Sequence, residues 1–295
     1  MTPRATGLLL LVLTGFGWGS NWPALQLLLR EMPPLAARSY AGLASSLFFG
    51  LGALAFGIRL SVPRHLWGRL FLSSLLNVTA WMGLATVGLL WLTAAEAATL
   101  AYTMPVWAAL LAWPILGERP SALKMLGLLL GIGGVVILFA GRGVAIGLEK
   151  LPGMLLLLAA AMLFALGAVL SKRYPLPMHP VAAMVWQVGL GCLPLFLLSP
   201  FLETVRLGEL SALGWFLMGW MAIVALGIAY LAWFGALARL PASTATIGTL
   251  LVPIVAVLAT GLLLDEPLGL REWGALGFTL AGVLLATRPP PRPRA

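Results

Sequence analysis

The chain has 295 residues, is 61% hydrophobic and only 9% charged, and has a mean hydropathy of +1.02. A water-soluble domain of that length needs far more charge on its exterior, so these figures exclude one. The formal net charge is +9, but the basic residues are scattered over short links with no basic face or nucleic-acid motif, which excludes a nucleic-acid partner.

Polar breaks divide the chain into apolar runs of about 17–25 residues, the length of a membrane-spanning helix. The predicted spans are 6–28, 35–57, 69–91, 95–116, 122–141, 151–171, 180–201, 212–236, 241–263 and 270–287. The first begins after Arg4 as a signal peptide does, yet it runs on through Gly15, Gly17, Trp18, Gly19, Asn21 and Trp22 without a small-residue cleavage site. It is read as a retained span. In the third, Asn77 and Trp81 are four residues apart and are expected to share a helix face, with Thr79 nearby. The fourth opens with Glu96 in its first turn, where an acid complements the helix partial charge. It then places Thr99, Tyr102 and Thr103 on one face ahead of Pro105.

Gly127 and Gly131 clear one face of the fifth span for close packing. The sixth carries Phe164 and Gly167, and the seventh carries Trp186, Gln187 and the single cysteine, Cys192, expected as a buried thiol. Tyr230 lies in the eighth, while Thr246 and Thr249 precede Pro253 in the ninth. Gly274 and Gly277 mark the tenth, and the arginine- and proline-rich residues 288–295 are expected to form a disordered cytoplasmic tail. Trp67, Trp91, Trp215 and Trp273 fall at span ends and are assigned to the interfacial aromatic belt.

All nine acids map to span ends, and His65 and His179 sit in links. No cluster of histidine, cysteine and carboxylate is available for a metal, a cofactor or hydrolytic chemistry, so an enzyme is not expected. No buried carboxylate is visible to exchange a proton for a solute, which makes facilitative transport the expectation. With a cytoplasmic N-terminus, twelve basic residues flank the inside links, and six (Arg30, Arg38, Arg142, Lys150, Arg206 and Arg271) flank the outside. This follows the positive-inside rule and puts both termini in the cytoplasm, as expected for a bacterial inner-membrane protein.

One stretch recurs. Pro105–Glu118 aligns without a gap on Pro253–Glu266, an offset of 148 residues that also pairs Gly134-Val135 with Gly282-Val283, Phe16 with Phe164 and Gly19 with Gly167. Residues 1–144 and 145–287 then form two halves of five spans each. An odd number per half reverses equivalent helices. The expected fold is therefore an all-α membrane protein of ten transmembrane helices, arranged as two inverted five-helix repeats around a central cavity.

The first half carries Thr93-Ala-Ala-Glu-Ala-Ala-Thr-Leu-Ala-Tyr-Thr-Met-Pro105, Leu116-Gly-Glu-Arg119, Gly127 and Gly131-Ile-Gly-Gly-Val135. The second repeats the pattern as Pro241-Ala-Ser-Thr-Ala-Thr246, Pro253, Leu264-Asp-Glu-Pro267, Gly277 and Ala281-Gly-Val283. In these features the chain resembles the EamA-type domain of the drug/metabolite transporter superfamily. The opening Phe16-Gly-Trp-Gly-Ser-Asn-Trp22 looks most like the YddG-type exporters of aromatic and other neutral amino acids. The resemblance implies a ten-helix carrier with a central cavity and alternating access. Thr244 stands where a second copy of Glu96 would be, so the halves are not expected to play equal parts.

Polar uncharged groups inside spans must face neighbouring helices or a wet cavity, because hydrocarbon leaves them unsatisfied. The expected substrate-binding set is Trp18, Asn21, Asn77, Trp81, Thr99, Tyr102, Thr103, Phe164, Tyr230 and Thr246, with Pro105 and Pro253 as hinges. An aromatic and amide-lined cavity without fixed charge suits a neutral amino acid, its ammonium held against ring faces. Efflux of drugs or lipophilic cations is the alternative, but that chemistry calls for a membrane-embedded acid. The expected partners are the small-molecule solute and membrane lipids, with no cofactor and no metal. The expected assembly is a monomer or a weak homodimer through Gly127/Gly131 and Gly274/Gly277.

Overall fold

The computed structural model describes residues 2–88, 90–92, 100–119, 121–139, 148–263 and 269–287. Within them the chain is helical, with no strand. In order come α1 (Pro3–Leu28), α2 (Pro34–Ala55), α3 (Trp67–Ser74), α4 (Trp81–Gly88), α5 (Met104–Leu116) and α6 (Ala122–Phe139). The second half adds α7 (Leu151–Arg173), α8 (Pro180–Leu202), α9 (Ala212–Trp220), α10 (Ala229–Arg239), α11 (Ala242–Gly248), α12 (Leu251–Leu263) and α13 (Leu270–Thr287). Among the described residues, five helical rods are long and apolar enough to cross a membrane, and four shorter apolar helices accompany them. Large side chains such as Leu47, Leu51, Leu54 and Phe201 are exposed on the outside, as lipid contact requires.

Proline opens many of these helices. It sits in the first turn of α1, α2, α5, α7 and α8, where its missing N–H is not needed and its fixed φ suits the helix. Thr2 and Ser211 cap α1 and α9 by accepting from Ala5 N at 3.2 Å and Gly214 N at 3.0 Å. Gly117, at φ +72°, closes α5 in the left-handed region.

Two features depart from uninterrupted spans. The rods α3–α4 and α9–α10 are each continuous through a π-helical segment, Leu75–Ala80 in one and Met221–Ile228 in the other. The expected kinks at Pro105 and Pro253 are outright breaks. Tyr102–Thr103 and Thr249–Leu250 form turns with bonds three residues back, Thr103 N to Leu100 O at 3.1 Å and Thr249 N to Thr246 O at 3.1 Å. Each proline then lies in the first turn of the helix that follows, α5 or α12.

The packing is reciprocal. α1 lies against α10 and α12, α7 lies against α4 and α5, and α2 pairs with α8 as α6 does with α13. In the last pair a Cβ at Gly134 would lie 2.8 Å from Thr279 N, and one at Gly282 would lie 2.5 Å from Gly131 N. These two contacts exchange under the 148-residue offset. Gly127 and Gly131 are thus used inside the chain, whereas Gly274 and Gly277 meet nothing within 4 Å.

Carboxylates tie elements of the two halves together at their ends. Glu203 accepts from Leu35 N and Ala36 N, both at 2.8 Å, capping α2 from beyond the end of α8. At the same end Glu31 accepts from Ser211 N and Ser211 Oγ, both at 2.8 Å, beside the start of α9. At the opposite end Glu118 accepts from Ala242 N at 3.0 Å and Ser243 Oγ at 2.9 Å, and Lys124 donates to Ser243 Oγ at 2.9 Å. Replacing Glu118 with Ala is expected to cost about 0.5–2 kcal/mol, as loss of a helix cap does. A thermal unfolding midpoint unchanged from the parent would contradict that role.

Candidate functional site

The breaks, the π segment Met221–Ile228 and the first helix of each half converge on one cavity of about 100 Å³. That is room for several water molecules. Trp18, Asn21, Trp22 and Leu25 enter it from α1, and Trp81, Met82 and Ala85 from α4. Ala101, Tyr102 and Met104 come from the first break, and Thr249 and Val252 from the second. Phe164 and Leu157 close it from α7, with Ala225, Leu226 and Tyr230 from the α9–α10 rod. Both halves build the walls.

Trp18 is the centre of the aromatic lining. Its ring meets Tyr230 edge-on at 5.3 Å, Phe164 at 6.1 Å and Trp233 at 5.7 Å, and its Nε1 donates to Ala225 O at 3.1 Å. Trp81 stacks at a tilt on Phe164 at 5.4 Å. Gly17 and Gly19 let α1 come this close, because a Cβ at Gly19 would lie 2.8 Å from Val252 O. The acceptor on the π segment is telling. A π turn re-spaces the backbone bonds, and such turns gather at functional sites.

The expected site residues divide into two groups. Trp18, Asn21, Trp81, Tyr102, Phe164 and Tyr230 line the cavity together. Asn77, Thr103 and Thr246 do not. Asn77 is fully buried, its Nδ2 donating to Ser73 O at 3.0 Å, Ser73 Oγ at 3.1 Å and Ser171 Oγ at 3.3 Å. Thr103 Oγ1 donates to Leu100 O at 2.6 Å and accepts from Trp107 Nε1 at 3.2 Å. Thr246 Oγ1 donates to Ala242 O at 2.9 Å. Thr99 lies outside the described residues, as do Glu96, Asp265, Glu266 and the tail 288–295.

Asn77 and Trp81 do not share the cavity face because the π segment lies between them. Its N–H groups bond five residues back, so a spacing of four no longer stacks two side chains. Trp186 also stands apart: its Nε1 donates to Leu60 O at 2.7 Å and its ring meets Trp67 at 5.2 Å.

The expectation of a cavity without fixed charge is overturned. Arg38, counted with the outside flanks, stands one turn into α2 and lines the cavity near Tyr230 and Cys192. Among the described residues no carboxylate lines the cavity with it. A second cavity, of about 460 Å³, opens between α3, α7, α8 and α10 toward the end held by Glu118. Ser73, Leu76 and Gly167 lie at its inner end, about a turn or two along α3–α4 and α7 from Trp81 and Phe164. Between the cavities Tyr230 OH donates to Asn77 O at 3.2 Å.

Two segments of the chain match one and the same family model, that of the EamA-like transporter family, over residues 5–140 and 151–288. An uncharacterized transporter of Bacillus subtilis, YvbV, is 30% identical over 96% of this chain and 90% of its own length. The Escherichia coli K12 protein YedA, an uncharacterized inner membrane transporter, is 26% identical over 92% of this chain and 87% of its own. One solved crystal structure superposes with a TM-score of 0.86 over 96% of each chain at 18% identity, a likeness of fold alone.

Proposed function

The chain belongs to the EamA-like transporter family, and we propose that it carries small neutral metabolites, aromatic and other neutral amino acids first among them, by alternating access. One observation carries this reading. The cavity walled by Trp18, Trp81, Tyr102, Phe164 and Tyr230 sits where the two broken helices meet, with side chains from both halves. Aromatic faces accept an apolar side chain, and the turns at 102–103 and 249–250 free the backbone to bend there.

In this reading ten crossings form two inverted repeats, with α11–α12 one broken crossing and α5 the visible part of its counterpart. The reciprocal packing of α1 on α10 and α12, and of α7 on α4 and α5, supports it. Exchanging the roles of the halves then converts an outward-open carrier into an inward-open one. Both termini lie in the cytoplasm, and one chain is the working unit because its cavity is complete without a second copy. Drug or lipophilic-cation efflux is the weaker reading, since among the described residues the wall holds a cation, Arg38, and no acid.

Counterflow in liposomes containing only this protein tests the proposal. Preloaded phenylalanine or another neutral amino acid should drive uptake of its labelled form, with no response to an imposed pH gradient. Indifference to every amino acid offered would sink the substrate class. Uptake that follows the proton gradient would replace the facilitator with a coupled carrier.

A further inference from the structure

Among the described residues Arg38 is the one cation in the wall of the central cavity, and its guanidinium has no hydrogen bond and no ion pair there. Arg239, Lys172 and Arg206, by contrast, each have a polar partner. Arg239 donates to Gly235 O at 2.8 Å, Lys172 donates to the carbonyl of Leu240, and Arg206 pairs with Glu209 at 3.3 Å. A structural arginine in an apolar setting takes carbonyls or carboxylates for its five N–H donors, because a bare buried charge is costly. Arg38 keeps its charge at any physiological pH, and the surface it retains faces the cavity that it lines.

Two further observations converge on it. Asn21 lines the same cavity; its Oδ1 is buried without a partner, and its Nδ2 bonds to nothing among the described residues. The second cavity, on the other side of the Tyr230–Asn77 contact, is lined by Arg69, Lys172 and Arg239 and, among the described residues, by no acid. A cleft lined by one sign of charge concentrates ions of the other sign.

We propose that Arg38 anchors a carboxylate of the transported solute, with the guanidinium donating two parallel hydrogen bonds to it. The inference rests on the reading of this cavity as the transport site. The carboxylate completes an otherwise unmatched charge, Trp18 and Trp81 take the apolar remainder, and the free amide of Asn21 meets any further polar group. A cationic solute without a carboxylate is rejected by repulsion. An amino acid and a simple organic acid both carry the required group, and the wall chemistry common to them is what Arg38 reads.

The test uses four compounds of one skeleton: L-phenylalanine, 3-phenylpropionate, 2-phenylethylamine and 3-phenylpropanamide. Binding to the full chain in detergent is followed by the change in tryptophan emission, since Trp18, Trp22 and Trp81 face the cavity. One or both carboxylates should bind and the amine and amide should not. Binding of phenylalanine alone identifies an amino-acid site, and binding of both carboxylates an organic-acid site.

Arg38→Gln should weaken carboxylate binding about 10- to 100-fold, as loss of a charge-assisted bond does, and Arg38→Lys should weaken it less. If Arg38→Gln gives no folded peak on size exclusion, Arg38→Lys carries the comparison, and wild-type affinity in it overturns bidentate anchoring. Arg38→Gln binding carboxylates as the parent does, the amine or amide binding as well as the carboxylates, or none of the four binding, each overturns the proposal. Failure of the cavity reading is distinguishable: carboxylate binding that responds to Arg38 but not to Trp81→Ala, with no counterflow, leaves an anion site without a transport path.

Discussion

Trp18→Ala is expected to abolish transport and to lower the unfolding midpoint by many degrees. The indole borders three separate apolar clusters, one around α2 and α8, one around α7 and α10, and one that includes Tyr102 and Leu250. Truncation removes three ring contacts and the bond to Ala225 O, and it merges the cavity with the void left behind. Loss of a fully buried tryptophan costs about 3–5 kcal/mol in a packed core, and the partly buried Trp18 is expected at the low end of that range. Trp18→Phe separates the two effects, because it keeps a ring against Tyr230 and loses the indole N–H. It should stay folded and bind solute more weakly. Fluorescence-detected size exclusion and counterflow on the same preparations check this, and Trp18→Ala with parental transport would remove Trp18 from the site.

Gly282→Val should give no folded protein. Its Cβ would meet Gly131 N at 2.5 Å, and Gly127 O closer still, both backbone atoms with no rotamer to yield. α6 and α13 must then separate along their length, a penalty beyond the usual overpacking cost of about 1–3 kcal/mol. Gly277→Val on the same helix is the control, since nothing lies within 4 Å of its Cβ position. It should elute as the parent does. Equal yields from the two variants would show that α13 is not held by backbone contact at Gly282.

The breaks were legible because proline marks them locally: Pro105 and Pro253 fall two and three residues after the turns that end at Thr103 and Leu250. The recurrence at 148 residues was legible too, and it reappears where Ala122–Phe139 maps onto Leu270–Thr287. The π segments were not. Leu75–Ala80 and Met221–Ile228 contain no proline, and their register is set by neighbours such as Trp18, which binds Ala225 O. Reading α3–α4 with one unbroken period therefore put Asn77 on the wall beside Trp81, whereas it belongs to the polar contact with Ser73 and Ser171. Arg38 was missed for a different reason. Near a span end, composition alone cannot separate an arginine that reaches water from one turned inward.

The carboxylates at the helix ends also bear on waiting times. Among the described residues, Glu31 and Glu203 bridge α1–α9 and α8–α2 at one end, and Glu118 alone makes such a bridge at the other. Any motion that parts the first end must break both bridges, each worth about 0.5–2 kcal/mol. A difference of about 1.4 kcal/mol is a tenfold difference in population. In the proposed cycle these two carboxylates are expected to weight the dwell time of each state, and substitutions there to tune turnover without touching what the cavity recognises.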